Sequence, residues 1–229
     1  MYKHVFLDFD DTIYDTRGNA TVALNELYAH FNLNRYFDRF ETFAEIYWKR
    51  NHEVWALYSE GKITRQELIV ERFLYPLRLV GTGTEEMALE LNDWFLESTS
   101  RKSGLIEGAR ELLDYLKPNY HIHMISNGFT EVQYRKMESA GVAGYFEEVI
   151  LSDAVGVNKP DPAIFEFALR KAGSTPEESI MIGDNFDTDI KGAIRSRIDQ
   201  VFFNPQKEFI APQRPTFEVR TLGEIHEIL

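Results

Sequence analysis

The chain contains no cysteine, which removes disulfides, thiolate metal sites and thiol nucleophiles together. It also lacks long apolar runs. The N-terminal stretch Val5-Phe6-Leu7 is stopped by Asp8, and no window approaches the roughly 18 apolar residues of a membrane span. Neither a signal peptide nor a membrane anchor is expected, and a soluble, cytoplasmic protein is. Positive charge is scarce as well. Against 37 Asp and Glu there are 25 Lys and Arg, a formal charge of −12, which disfavours wrapping a nucleic-acid polymer or lying on an anionic membrane. A small anionic substrate remains possible if positive charge is supplied locally. There is no repeat, low-complexity tract or Gly/Ser linker. What is present is a 229-residue chain with 44% hydrophobic residues, enough to bury a core and carry an insertion.

Short apolar segments bounded by turn or charged residues predict strands over His4–Phe9, His121–Ile125, Glu148–Leu151, Ser179–Ile182 and Gln200–Phe203. Between them, amphipathic patterns predict helices over Glu107–Leu116, stopped by Pro118, Thr130–Ala140, stopped by Gly141, and Pro162–Ala172, stopped by Gly173. Strands alternating with such helices imply a parallel sheet covered on both faces. The intervening stretch reads differently. Thr21–Phe31, Glu41–Ser59, Arg65–Leu79 and Glu85–Thr99 all show helical apolar periodicity, Thr64 with Glu67 makes a capping box, and Thr84 with Met87 makes half of one. The expected organisation is an α/β, doubly wound Rossmann-like core formed by residues 1–14 and 105–229, with an all-helical cap domain, 15–104, inserted after the first strand. Its hinges are expected in Thr12–Thr16 and Ser100–Ile106.

Four polar groups fall at the carboxyl ends of predicted strands: Asp8-Phe9-Asp10-Asp11-Thr12, Ser126-Asn127-Gly128, Lys159-Pro160, and Gly183-Asp184-Asn185 followed by Asp189. Ligands of open α/β sheets bind in the crevice at those ends, so groups distant in the chain can converge on one site. Three carboxylates where a buried strand ends are costly unless a cation or a phosphate chemistry uses them.

The ordered set resembles the haloacid dehalogenase superfamily of phosphotransferases, and the helical insertion matches the cap these enzymes carry. The cap residues Asn51 and Trp55, then Glu60-Gly61-Lys62-Ile63-Thr64 and Arg72-Phe73, resemble the house-cleaning pyrimidine 5′-nucleotidases. A departure is Ser196-Arg197-Ile198, where relatives carry Ala-Gly-Ile. Dehalogenating and phosphonate-cleaving branches lack an Asp at the position of Asp10, so the resemblance implies phosphate ester chemistry.

Residue chemistry fits that expectation. Asp8 is the candidate nucleophile, forming an aspartyl-phosphate. Asp10 is the candidate general acid and base, and must start protonated; like charge from Asp8 and Asp184 would raise its pKa, and a cation would oppose the shift. Asp8, Asp184 and the main-chain carbonyl of Asp10 are the expected Mg²⁺ ligands, with Asp189 orienting the site from behind. Ser126 and the main-chain N–H groups of Asn127 and Gly128 are expected to hold phosphoryl oxygens, and Lys159 to stabilise both Asp8 and the phosphoryl. Asp11 and Asp187 read as structural or solvated acids. On the second cap helix Trp48, His52 and Trp55 form one stripe and Phe43, Tyr47, Val54 and Tyr58 another. Trp55, Arg72 and Asn51 are the candidates for contacting a nucleobase.

The expected activity is hydrolysis of a small phosphate monoester, a pyrimidine nucleoside 5′-monophosphate, by a monomer or dimer. A sugar-phosphate phosphatase or phosphomutase is the alternative within the same chemistry. A phosphorylation-switched signalling domain groups similar residues around Mg²⁺, but carries its acceptor Asp in mid-chain and has no helical insertion.

Overall fold

The computed structural model describes residues 1–206 and 212–229. Five strands coincide with the apolar segments: β1 (His4–Leu7), β2 (His121–Ser126), β3 (Glu148–Leu151), β4 (Ser179–Gly183) and β5 (Asp199–Phe203). A sixth, β6 (Phe217–Val219), is an edge strand too short to show a period in sequence. All pair in parallel in the order β3-β2-β1-β4-β5-β6. This is the doubly wound Rossmann-like order, and its direction of winding reverses between β1 and β4. The helices are α1 (Thr16–His30), α2 (Phe40–Ser59), α3 (Arg65–Leu79), α4 (Glu85–Ser100), α5 (Ala109–Leu116), α6 (Thr130–Ser139), the single turn α7 (Ser152–Val155), α8 (Pro162–Ala172) and α9 (Lys191–Arg195).

The chain divides into two compact units, one comprising Met1–Thr16 with Ser103–Leu229 and the other Arg17–Lys102. In the first, alternation along the strands splits the core. Val5, Leu7, Ile122, Met124, Ile180 and Ile182 pack on one face of the sheet with Leu112, Leu113 and Leu116 of α5. Phe6, Ile125 and Met181 pack on the other with Ile164, Phe165 and Ala168 of α8. Burial on both faces explains why β1 is apolar at every position after His4 rather than alternating. Local chemistry sets the helix ends: Asp161 caps α8 through the Ala163 N–H, Pro162 fills its first position, and Gly173 closes it at φ +65°.

In the second unit, α2 turns Phe43, Tyr47 and Val54 inward and leaves Trp48 and Trp55 partly exposed. Phe43 and Tyr47 pack with Leu24, Leu27, Phe73, Leu77, Leu91 and Phe95. The Thr64–Glu67 capping box closes the start of α3, and the Thr84 hydroxyl accepts from Met87 N–H at the start of α4.

Two local features carry consequences for stability. Arg197, where relatives are expected to carry Gly, adopts φ +61° in the turn that closes α9, where Ile198 N–H bonds the Ala193 carbonyl at 2.9 Å. The left-handed region penalises a side chain with a Cβ by about 1–2 kcal/mol, partly offset by the entropy a glycine adds to the unfolded chain. At the entrances of β1 and β2, His4 stacks on His121 and on His123, with ring centroids 4.9 and 5.4 Å apart. His123 is 1% exposed, and its Nδ1 has no partner among the described residues. Burial, then the neighbouring His4, pulls the His123 pKa down to about 4.

Arg197→Gly should therefore raise the urea unfolding free energy by about 0.5–1 kcal/mol. The histidine sets an acid limit. Unfolded histidine titrates near 6.5 and folded His123 near 4, so between those values the unfolded state binds more protons and stability falls as pH drops. Between pH 7.5 and pH 5, His123→Leu should lose about 2 kcal/mol less unfolding free energy than the parent, read from urea titrations at both pH values.

Candidate active site

The end of β1 delivers Asp8 into the switch point because its N–H still bonds the Ile182 carbonyl of β4, at 2.9 Å. The next residues fold back sharply: Ile13 and Tyr14 N–H groups return to the Phe9 carbonyl, at 3.0 and 2.8 Å, and Asp11 takes φ +59°. This loop separates two carboxylates only two residues apart. Asp8 turns into the sheet crevice and Asp10 turns toward α6.

Asp8 is 6% exposed and pairs with the Lys159 ammonium at 2.5 Å. The same nitrogen meets Asp189 at 2.7 Å and the Ile125 carbonyl, at the end of β2, at 2.8 Å. An ammonium has three protons, so all are engaged, and a phosphoryl oxygen reaching Lys159 must displace one of these acceptors. Asn127 fixes the backbone of Lys159 from both sides, accepting from its N–H at 2.8 Å and donating to its carbonyl at 3.0 Å. The Lys159–Pro160 peptide is cis.

Carboxylate oxygens of Asp8, Asp184 and Asp189 lie within 4.8 Å of one another. Thr12, fully buried, joins two of them: its hydroxyl lies 3.0 Å from Asp184 Oδ1 and 3.5 Å from Asp8 Oδ2, and it accepts from Asp184 N–H at 3.1 Å. Gly183 makes room for Asp189, since a Cβ there would lie 2.4 Å from Asp189 Oδ2. Burial, opposed by Lys159, pushes Asp8 up to about 8. Burial and the charges of Asp8 and Asp189 push Asp184 well above the carboxylate range. The excess of buried negative charge over one ammonium fits a hard divalent cation, and an all-oxygen donor set suits Mg²⁺.

Asp10 departs from expectation. Although burial alone would raise its pKa, Lys136 at 2.5 Å, Thr16 at 2.6 Å and Gln133 at 2.7 Å hold it below the usual range. The anticipated repulsion from Asp8 and Asp184 is outweighed because the Asp10 carboxylate faces α6 rather than the acid cluster. Gly128 departs too. Its N–H donates to the Ser126 hydroxyl at 3.0 Å, which occupies a donor expected to serve a phosphoryl oxygen.

Thr16, Gln133 and Lys136 lie outside the strand-end motifs, and Thr12 lies inside the first of them without an expected role. Gln133 and Lys136 were nevertheless signalled by position, being polar residues three apart on the inward stripe of α6 with Val132 and Met137.

In the helical unit, Arg72 corrects the sequence expectation. It is 2% exposed, and its Nε and Nη2 both donate to Asn92 Oδ1, the former at 3.1 Å. Its guanidinium lies 5.1 Å from the Phe95 ring centroid, so it is a core group of this unit and not a free edge for a base. Asn51 accepts weakly from the Tyr47 hydroxyl at 3.5 Å. Trp55 meets Tyr58 edge-to-face, with ring centroids 5.7 Å apart.

Residues 2–197 match the model of the haloacid dehalogenase-like hydrolase family. YfnB of Bacillus subtilis, a putative hydrolase whose solved structure is bound to magnesium, superposes with TM-score 0.90 and 27% identity, covering 99% of this chain and 98% of its own. The pyrimidine 5′-nucleotidase YjjG of Escherichia coli is 29% identical, over 98% of this chain and 96% of its own. A glyceraldehyde 3-phosphate phosphatase of Methanothermobacter thermautotrophicus is 31% identical, over 90% and 87%.

Calorimetric unfolding in a magnesium series should show the midpoint rising with Mg²⁺, because a ligand bound to the folded state alone stabilises it. Asp184→Asn should unfold at a higher temperature than the parent without metal, having lost one repelling carboxylate, and should respond little to Mg²⁺. An equal magnesium response in both proteins would exclude Asp184 as a ligand.

Proposed function

The chain belongs to the haloacid dehalogenase-like hydrolases, and on that footing we propose that it is a Mg²⁺-dependent phosphate monoester hydrolase acting through an aspartyl-phosphate on Asp8. The observation that carries this reading is the opposite treatment of two neighbouring carboxylates. Asp8 is clamped by Lys159 beside Asp184 and Asp189, while Asp10 is held apart by Lys136 and Gln133. One carboxylate is set to attack and the other to move a proton.

In this mechanism an Asp8 oxygen forms the bond to phosphorus as the ester P–O bond breaks, and Asp10 delivers a proton to the departing oxygen. Water then attacks phosphorus, Asp10 takes its proton, and phosphate leaves with Asp8 regenerated. Delivery of the first proton requires a protonated Asp10, which Lys136 at 2.5 Å opposes in the ligand-free site, and the ionised form that Lys136 favours is the one that takes the proton from water. Lys159 holds the Asp8 carboxylate against its raised pKa, and Ser126 donates to a phosphoryl oxygen. Asp8, Asp184 and the Asp10 carbonyl would hold the cation, with Asp189 behind them, and the cation would supply positive charge against the transferring phosphoryl.

The proposed substrates are pyrimidine nucleoside 5′-monophosphates, a reading supported by the similarity to YjjG. The helical unit is taken as the cap of the family. Trp55 and Asn51 are retained as determinants of substrate choice on chemistry alone, an indole able to stack on a base and an amide able to pair with its polar edge. The similarity to a glyceraldehyde 3-phosphate phosphatase supports a second reading, a sugar-phosphate phosphatase.

Phosphate release with Mg²⁺ over UMP, dUMP, dTMP, AMP and several sugar phosphates separates the two. The nucleotidase reading requires kcat/KM at least about tenfold higher for the pyrimidine nucleotides; a profile favouring sugar phosphates replaces it with the second. Asp8→Asn should reduce turnover to background with an unchanged circular dichroism spectrum. Activity persisting in that variant would rule out Asp8 as nucleophile.

A further inference from the structure

Gln133 is fully buried on α6, and one atom of it serves two chemically different groups. Its Nε2 donates to Asp10 Oδ2 at 2.7 Å and to Ser126 Oγ at 2.7 Å. The orientation of the amide is fixed by chemistry, because an ionised Asp10 can only accept and would repel the carbonyl end. That end, Oε1, is buried with no partner among the described residues. The side chain is therefore oriented by the two groups to which it donates.

The consequence falls on Ser126. A hydroxyl carries two acceptor positions and one proton. The acceptor positions of Ser126 Oγ are occupied by Gln133 Nε2 at 2.7 Å and Gly128 N–H at 3.0 Å, and among the described residues no acceptor takes its proton. Ser126 is 1% exposed, so the proton is left for a ligand. Gly128 is matched to this arrangement, since a Cβ on it would lie 2.5 Å from both Cδ and Nε2 of Gln133, and only glycine lets the amide come this close.

We propose that Gln133 is a positioning residue that locks the Ser126 hydroxyl into donating to a phosphoryl oxygen, and that the same amide nitrogen sets its spacing from the Asp10 carboxylate. The hydroxyl is thereby barred from accepting, which would place its oxygen lone pairs against an anionic ligand. This rests on the phosphate-handling reading of Ser126 above.

The test is a double-mutant cycle on inorganic phosphate affinity in Mg²⁺, measured by calorimetry for the parent, Gln133→Met, Ser126→Ala and the double variant. Gln133→Met keeps the side-chain volume and removes the donor. It should weaken phosphate binding about tenfold, the scale of one hydrogen bond, and the double variant should bind no more weakly than Ser126→Ala. Gly128→Ala, which displaces the amide without removing it, should reproduce the loss. Parent-like affinity in Gln133→Met or Gly128→Ala overturns the assignment, as does a Gln133→Met loss that adds in full to that of Ser126→Ala. UMP turnover by the parent is measured alongside: its absence counts against the nucleotidase reading and leaves the affinity cycle decisive for Gln133. Absence of phosphate binding to the parent overturns both.

Discussion

The ammonium of Lys159 is the contact on which the crevice is built. It reaches the exit of β1 through Asp8, the exit of β2 through the Ile125 carbonyl, and the turn after β4 through Asp189. One buried cation thus fastens three segments that a parallel sheet brings together but does not itself cross-link at their ends. It leaves the acid cluster incompletely neutralised, and that shortfall suits the divalent ion of the proposed mechanism. A buried group bound this way costs desolvation energy that only good geometry recovers, and the double hydrogen bond from Asn127 to the Lys159 backbone supplies that geometry.

The loop after β1 solves a related difficulty. Two carboxylates two residues apart on an extended strand would point to the same side, share one environment and hinder each other's ionisation. The left-handed turn at Asp11 and the return of Ile13 and Tyr14 to the Phe9 carbonyl break the strand. The carboxylates then meet different lysines, and their pKa values move in opposite directions. In the proposed mechanism this separation lets one short motif contain both an attacking and a proton-carrying group.

Much of this was legible in sequence because it is locally encoded. The Pro162 start and Gly173 stop of α8, the Thr64–Glu67 box and the apolar strands each announce themselves within a few residues. The four strand-end groups were legible because an open parallel sheet collects such ends on one side. The partner of Asp10 was not, since Lys136 lies 126 residues away and only the fold decides which way a carboxylate turns. Arg72 became a candidate through the resemblance of the cap motif, and its partner Asn92, 20 residues on inside the helical unit, was illegible for the same reason as Lys136. The edge strand β6 escaped because three residues cannot express a period.

The histidine stack sits at the entrances of β1 and β2, whereas Asp8 and Ser126 sit at their exits. Four residues of strand separate His4 from Asp8, about 13 Å at the usual rise. Acid tolerance and the proposed catalysis are therefore written at opposite poles of the same two strands. A lineage moving between neutral and acidic surroundings could adjust one pole by substitution while inheriting the other untouched.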